Sequence, residues 1–276
     1  MEAGLRFGTA WLLTMSWPLG LIVPVQDPTP FSVFSPEEWP GSLGRVHAAG
    51  YAVVELAVTD PALLDLQKLE IALRQYSLKL AAFTTGQAAW KEGLSLSSAD
   101  EKIREKAISR IMSHAKVAEH LEAVVIVGLL RGKDGDLLLL REALKECTKA
   151  YPQVRFALEP LNRYETTLIN TVSEALELID QVGAENLGVL FDTFHANIEE
   201  PCIPKALELC GDRLFHVHLA DSNRWIPGFG HFPFAELWKA LKEVGYKGAL
   251  VLECFPRPDP EHLLSEAEVR KRVGLS

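Results

Sequence analysis

Cysteine is scarce in this chain: Cys147, Cys202, Cys210 and Cys254 are the only four in 276 residues, and no two are spaced as CxxC. That excludes a disulfide framework and a zinc ribbon, and reduced thiols point to a cytoplasmic protein by default. An excess of positive charge is also missing. There are 28 Lys+Arg against 37 Asp+Glu, a formal charge of −9, with no segregated basic cluster, so nucleic acid is not expected as a partner. Nor is there an unbroken apolar run long enough to span a membrane. The nearest approach, Phe7 to Val25 behind Arg6, is interrupted by Pro18, Gly20 and Pro24, and no small-x-small cleavage site follows it. We read residues 1–16 as an N-terminal extension leading into a first strand, with Met15 as an alternative start and no membrane partner. Low complexity is absent as well: 48% hydrophobic and 24% charged residues describe a globular chain, which excludes disorder, collagen and coiled coil.

What the sequence does contain is alternation. Short β-branched apolar runs, the strand signal, fall at Leu19 to Val25, Ala52 to Val58, Leu78 to Phe83, Ala123 to Leu129, Val154 to Leu158, Leu187 to Phe191, Leu214 to Leu219 and Ala249 to Cys254. Helical periodicity fills the intervals: Pro36 to Ala49, Ala62 to Tyr76, Asp100 to His120, Leu137 to Tyr151, Val172 to Val182, Ile203 to Leu209, Phe234 to Val244 and Glu261 to Arg272. Ser98 ahead of Glu101 has capping-box spacing, and Gly183 and Gly245 stand where helix C-caps are expected. Near-continuous apolar strands suit a parallel sheet buried on both faces, and eight βα repeats predict a single α/β domain over residues 1–276, a closed (β/α)8 TIM barrel. An open doubly wound sheet is the alternative. No linker divides the chain.

In such a barrel, chemistry sits at the C-terminal ends of the strands. Four apolar runs in the second half end on ionisable residues: Phe-Ala-Leu-Glu159, Val-Leu-Phe-Asp192, His216-Val-His218 and Val-Leu-Glu253. Any one of these taken singly reads equally well as paired with a cation across the barrel. Together, three carboxylates and an imidazole at one dry mouth would repel, and a divalent cation removes that cost. The oxygen-rich set suits Mn²⁺, Mg²⁺ or Co²⁺ better than structural zinc. His216 and His218 share a side of their strand; His218, nearer the mouth, is the expected ligand, with His216 filling a lower layer. His195 on the following βα loop and Arg224 are candidate contacts to a polyhydroxylated ligand. Gln87 and Glu55 are further candidates, for which structural pairing is an equal reading.

The stretches Leu158-Glu-Pro-Leu-Asn-Arg-Tyr-Glu165, Leu190-Phe-Asp-Thr-Phe-His-Ala-Asn-Ile-Glu-Glu200, His216-Val-His-Leu-Ala-Asp-Ser-Asn-Arg224 and Leu250-Val-Leu-Glu-Cys-Phe255 resemble those of the tagatose and psicose 3-epimerases among the xylose-isomerase-like TIM barrels. The first half, through Thr85-Gly-Gln-Ala88, Gly93-Leu-Ser-Leu96 and Gly128-Leu-Leu-Arg-Gly132, looks more like the keto-gluconate epimerase branch. The resemblance implies an isomerase acting on a keto-sugar or keto-sugar acid. It further implies a divalent ion, usually Mn²⁺ with Mg²⁺, Co²⁺ or Zn²⁺ as alternatives, on Glu159, Asp192, His218 and Glu253. Glu165, His195 and Arg224 would then contact substrate, and the protein would form dimers or tetramers. Glu159 and Glu253 are expected as the acid and base that exchange a proton beside the carbonyl through an enediolate. Arg131, after the fourth strand with Lys133 beyond it, is expected either to bind the carboxylate of an acidic keto-sugar or to be a solvated loop residue. Trp225 and Phe229 are expected either to wall the substrate or simply to pack.

Three rival functions share this architecture. An apurinic-site endonuclease needs histidines on the early strands, where this chain has Phe83-Thr-Thr-Gly and Gly128-Leu-Leu-Arg. A metal-dependent dehydratase of an inositol-derived ketone would use the same proton abstraction but expel a hydroxyl. A non-catalytic sugar-binding barrel would not need both glutamates.

Overall fold

The structure, a computed structural model, describes residues 17–275; the expected N-terminal extension lies outside them. Eight parallel strands close into one barrel in chain order: β1 Leu19–Pro24, β2 Val53–Ala57, β3 Lys79–Thr84, β4 Val124–Val127, β5 Phe156–Leu158, β6 Leu187–Asp192, β7 Leu214–Leu219 and β8 Leu250–Leu252. Ten α-helices surround it among the described residues: α1 Gly41–Ala48, α2 Leu66–Gln75, α3 Gly86–Glu92, α4 Glu101–Leu121, α5 Leu137–Ala150, α6 Val172–Val182, α7 Thr193–Glu199, α8 Ile203–Cys210, α9 Phe234–Glu243 and α10 Glu266–Val273. The closed barrel, and not the open sheet, is the architecture. No described helix is long and apolar enough to cross a membrane.

Every strand expected from the sequence is present, with ends moved by up to two residues. Three expected helices are broken: 3-10 turns at Pro36–Glu38, Pro61–Leu63 and Pro260–Leu264 precede α1, α2 and α10. Helices α3 and α7 went unforeseen. Both have seven residues, too short to build an apolar stripe of helical period. The α4 cap is also corrected: Asp100, not Ser98, accepts from the Lys102 and Ile103 amides, while Ser98 Oγ accepts from the Asp100 amide. Gly183 ends α6 in the left-handed region, as expected of a C-cap.

The strand period of two decides what reaches the barrel mouth. One face of the strands packs outward against the helices through Val125, Val127, Phe156, Leu158, Val189 and Phe191. The other face fills the barrel interior with Val124, Ile126, Ala157, Leu190 and, across the barrel, Ile22 and Val251. Two residues beyond these inward positions stand Gly128, Glu159, Asp192 and Glu253. The apolar filling therefore gives way, one layer up, to a ring of polar groups.

Candidate metal centre and substrate pocket

The β6–β7 register sets Asp192 beside His218 and Leu190 beside His216, so His218 is in the upper layer and His216 in the lower. Ligand atoms of Glu159, Asp192, His218 and Glu253, all buried, lie within 4.8 Å of one another. His218 Nδ1 stands 3.7 Å from Glu159 Oε1, 3.8 Å from Asp192 Oδ2 and 3.7 Å from Glu253 Oε2. These gaps are too long for hydrogen bonds but are spanned by two bonds of roughly 2.1 Å meeting at one ion. Glu159 Oε1, Asp192 Oδ2 and His218 Nδ1 are all buried without a partner. Three convergent buried atoms without partners fit the donor set of a cation.

The remaining atoms of these side chains are anchored. Asp192 Oδ1 caps α7, accepting from the amides of Phe194 at 2.7 Å and His195 at 3.0 Å, which turns Oδ2 inward. His218 Nε2 donates to Glu55 Oε2 at 3.1 Å, and His216 Nε2 donates to the same oxygen at 2.9 Å. Glu55, one of the open candidates for sugar contact, is thus a buried partner of both histidines and fixes the orientation of the His218 ring.

Charge in this cluster is shared unevenly among the four side chains. Burial, reinforced by Glu253 and Glu159, pushes Asp192 well above the ordinary aspartate range. Burial also raises Glu159. Glu253 goes the other way: against burial, His218 and then Arg224 hold it down to about 2. For His218, the facing carboxylates Glu55 and Glu253 overcome burial and hold the ring well above the ordinary imidazole range. A divalent ion would displace protons here and satisfy the repelling carboxylates.

Above the cluster opens a cavity of about 280 Å³, near the lower limit for small-ligand sites. Its wall includes Glu159, Glu165, Glu253, His195, Arg224 and Gln87. His195, expected on a loop, is on α7. Its Nδ1 accepts from Asn162 Nδ2 at 2.8 Å and from the Asn162 amide at 3.2 Å, so the ring proton is on Nε2, a buried donor with no partner. Burial, followed by the charge of Arg224, drives its pKa well below the ordinary value and keeps it neutral. Gln87, on α3, donates to the Asp27 carbonyl at 3.2 Å and leaves Oε1 buried and unpartnered.

Arg224 bridges two pocket carboxylates, donating to Glu165 Oε1 at 2.7 Å and to Glu253 Oε2 at 3.2 Å. Its guanidinium lies between the rings of Phe31 and Phe194, 4.3 and 4.9 Å from their centroids. Phe31, Phe194 and Asn162 carried no sequence signal of their own, although Phe194 and Asn162 fall within the family-like stretches.

For Arg131 neither expected role fits. Arg131 does not reach the cavity: its side chain is fully buried and donates to the backbone carbonyls of Glu159 and of Ile169, the latter at 3.0 Å. Of the two readings for Trp225 and Phe229, walling does not hold: the apolar wall is formed by Phe31, Trp90, Leu129 and Leu161, and Phe229 packs on His262 and Arg272.

Comparison with known proteins agrees with this geometry. The xylose isomerase-like TIM barrel family matches residues 43–272. The D-psicose 3-epimerase of Ruminiclostridium cellulolyticum is 33% identical over 239 residues, covering 80% of this chain and 81% of that protein. The D-psicose 3-epimerase of Enterocloster bolteae is 31% identical over 229 residues, covering 77% and 75%. Among solved structures, D-psicose 3-epimerase with D-tagatose from Clostridium cellulolyticum superposes with a TM-score of 0.74 at 26% identity, over 93% of this chain and 94% of that one. The barrel, the ring of polar groups at its mouth and these relatives together show that the chain belongs to the xylose isomerase-like TIM-barrel family, in its tagatose and psicose epimerase group.

Proposed function

We propose that this protein is a divalent-metal-dependent epimerase of an uncharged ketose, and that it exchanges the proton on the carbon beside the carbonyl. The observation that carries the reading is the convergence of Glu159 Oε1, Asp192 Oδ2 and His218 Nδ1, buried and unpartnered, with Glu253 beside them. Glu159, Asp192, His218 and Glu253 would hold the ion, Mn²⁺ being the preferred occupant of such an oxygen-rich set. Bound there, it would act as a Lewis acid on the ketone and the adjacent hydroxyl.

The chain's own residues account for the rest. Glu159 and Glu253 both line the cavity, so one carboxylate takes the proton from one face of the carbon while the other returns a proton to the opposite face. The enediolate between the two steps carries negative charge on oxygen. Arg224 supplies a fixed positive charge at the cavity wall, held in place by its two aromatic neighbours, and the His195 Nε2–H is a ready donor to a substrate oxygen. Glu165 and Gln87 Oε1 remain as acceptors for sugar hydroxyls. A keto-sugar acid, such as 5-keto-gluconate, is disfavoured. Among the described residues, Arg224 is the only Lys or Arg on the cavity wall, and it is already bonded to Glu165 and Glu253, while Arg131 is turned away.

The test is incubation with D-psicose and Mn²⁺ in D₂O. One deuterium should enter at the carbon beside the carbonyl as the epimer accumulates, with no loss of water. An unsaturated product would indicate a dehydratase instead, and absence of exchange across a panel of neutral ketoses would overturn the reading.

A further inference from the structure

Arg131 has the largest side chain among the fully buried described residues, and the catalytic reading above makes no use of it. Burying a guanidinium is costly unless its donors are used and its charge is balanced. No described carboxylate forms an ion pair with it. Its two Nη groups are spent on backbone carbonyls, those of Glu159 and Ile169, and Nε has no partner. Burial lowers its pKa to about 10, so the group remains a cation at neutral pH.

The two carbonyls are well chosen. Glu159 is the first residue beyond β5; its amide donates to Val127 O on β4 at 3.1 Å, and its carbonyl accepts from Arg131, in the turn that follows β4. The backbone that bears the Glu159 carboxylate is therefore gripped on both sides by the β4 segment. Ile169, with φ of 54°, ends an excursion of the chain whose start, the Leu161 amide, donates to the same Ile169 carbonyl at 3.2 Å. Within that excursion lie Asn162, which orients His195, and Glu165, which accepts from Arg224. One planar fork thus ties the Glu159 backbone to the loop that carries the other pocket contacts, a geometry for which guanidinium is pre-organised and an ammonium is not.

We propose that Arg131 is a positioning residue: it fixes Glu159, and with it the loop over 161–170, so that the Glu159 carboxylate meets the ion and the substrate in the required place. The inference rests on the metal-ligand role given to Glu159 above.

The test is Mn²⁺ titration of metal-free protein by calorimetry, with kcat and KM for D-psicose at saturating Mn²⁺. Arg131→Met keeps the bulk but removes both donors. Arg131→Lys keeps the charge and leaves one donor group that cannot span both carbonyls. Each should weaken Mn²⁺ binding by about 10–100-fold, the usual cost of losing an outer-sphere partner, and should lower kcat more than it raises KM, with Lys the milder. Thr166→Val removes a different fastener of the same loop, the bonds from Thr166 Oγ to the carbonyls of Gly132 and Lys133, and should leave Mn²⁺ affinity unchanged. Wild-type affinity and kcat in Arg131→Lys would overturn the proposal, and so would an equal loss in Thr166→Val. If Arg131→Met does not fold, Arg131→Lys decides. Failure of the metal reading itself looks different: wild-type protein would then take up no Mn²⁺, or Glu159→Gln would titrate as wild type does.

Discussion

Glu55 Oε2 accepts the Nε2–H of His218 at 3.1 Å, and this contact between β2 and β7 leaves Nδ1 as the ring nitrogen that faces Glu159, Asp192 and Glu253. Against its own burial, the charge of His218 and then the hydrogen bonds from His216 and His218 hold Glu55 below the ordinary glutamate range, so it is an ionised acceptor at neutral pH. Glu55→Gln keeps the shape and removes the charge. We expect Mn²⁺ affinity, measured by calorimetry, to fall about 10–100-fold with secondary structure unchanged. Unaltered affinity would mean that Glu55 only fills space.

The acid and base roles are tested by Glu159→Gln and Glu253→Gln. Each should lower kcat by at least about 100-fold, the lower range for a positioned acid or base. Single-face chemistry separates the two. A variant that keeps one carboxylate should still wash deuterium into one epimer faster than it interconverts the pair, which NMR of the recovered ketose reads directly. Near-normal turnover in both variants would remove the assignment.

Glu159, Asp192, His218 and Glu253 were legible because a polar residue ending an apolar run has a definite place in a barrel: the period of two that puts Ala157, Leu190 and Val251 inside also puts the residue two further on at the mouth. Arg131 was not legible. Its partners are backbone carbonyls 28 and 38 residues away, and a carbonyl has no side-chain signature, so a buried guanidinium and a solvated loop Arg look alike in sequence. The same holds for Phe31, which meets the pocket from a loop whose course depends on tertiary contacts, and for Trp90, carried on the short helix α3. His195 fell on a helix because Asp192 doubles as its N-cap, a short-range signal outweighed by the weak periodicity of seven residues.

Asp192 should cost the metal-free protein stability. Its folded pKa is raised, by burial first and then by Glu253 and Glu159. A carboxyl raised in this way stabilises the fold while protonated; that contribution is complete below the unfolded pKa and is lost as pH rises through the folded one. At neutral pH with chelator present, Asp192→Asn should therefore melt higher than wild type, by about 2–4 °C for each kcal/mol relieved in a chain of this size. Mn²⁺ should reverse the order, raising the wild-type melting temperature and leaving the variant's unmoved. Scanning calorimetry with EDTA and with Mn²⁺ reads both halves, and a lower melting temperature for the variant in EDTA would contradict the charge balance argued here.

Gly128 is the position in the polar ring where a side chain would do the most damage for the least change in mass. It follows β4, and a Cβ built on it would lie 2.5 Å from Glu159 Oε2, closer than real Cβ atoms approach. A methyl has no room at this position as the side chains stand. The reason is that the Glu159 carboxylate lies against the Gly128 backbone. In Gly128→Ala the carboxylate must swing away from the methyl, and the carbonyl clamp on Glu159 limits how far the main chain can follow. A displacement of about 1 Å at a reacting group costs on the order of 100-fold in rate. We expect kcat to fall by about that factor while far-UV circular dichroism and the chelated melting temperature stay near wild type, because the methyl enters the cavity side of the ring and not the packed layer beneath it. Gly128→Ala with wild-type kcat would show that Glu159 works equally well from another rotamer, and its place among the reacting groups would then have to be given up.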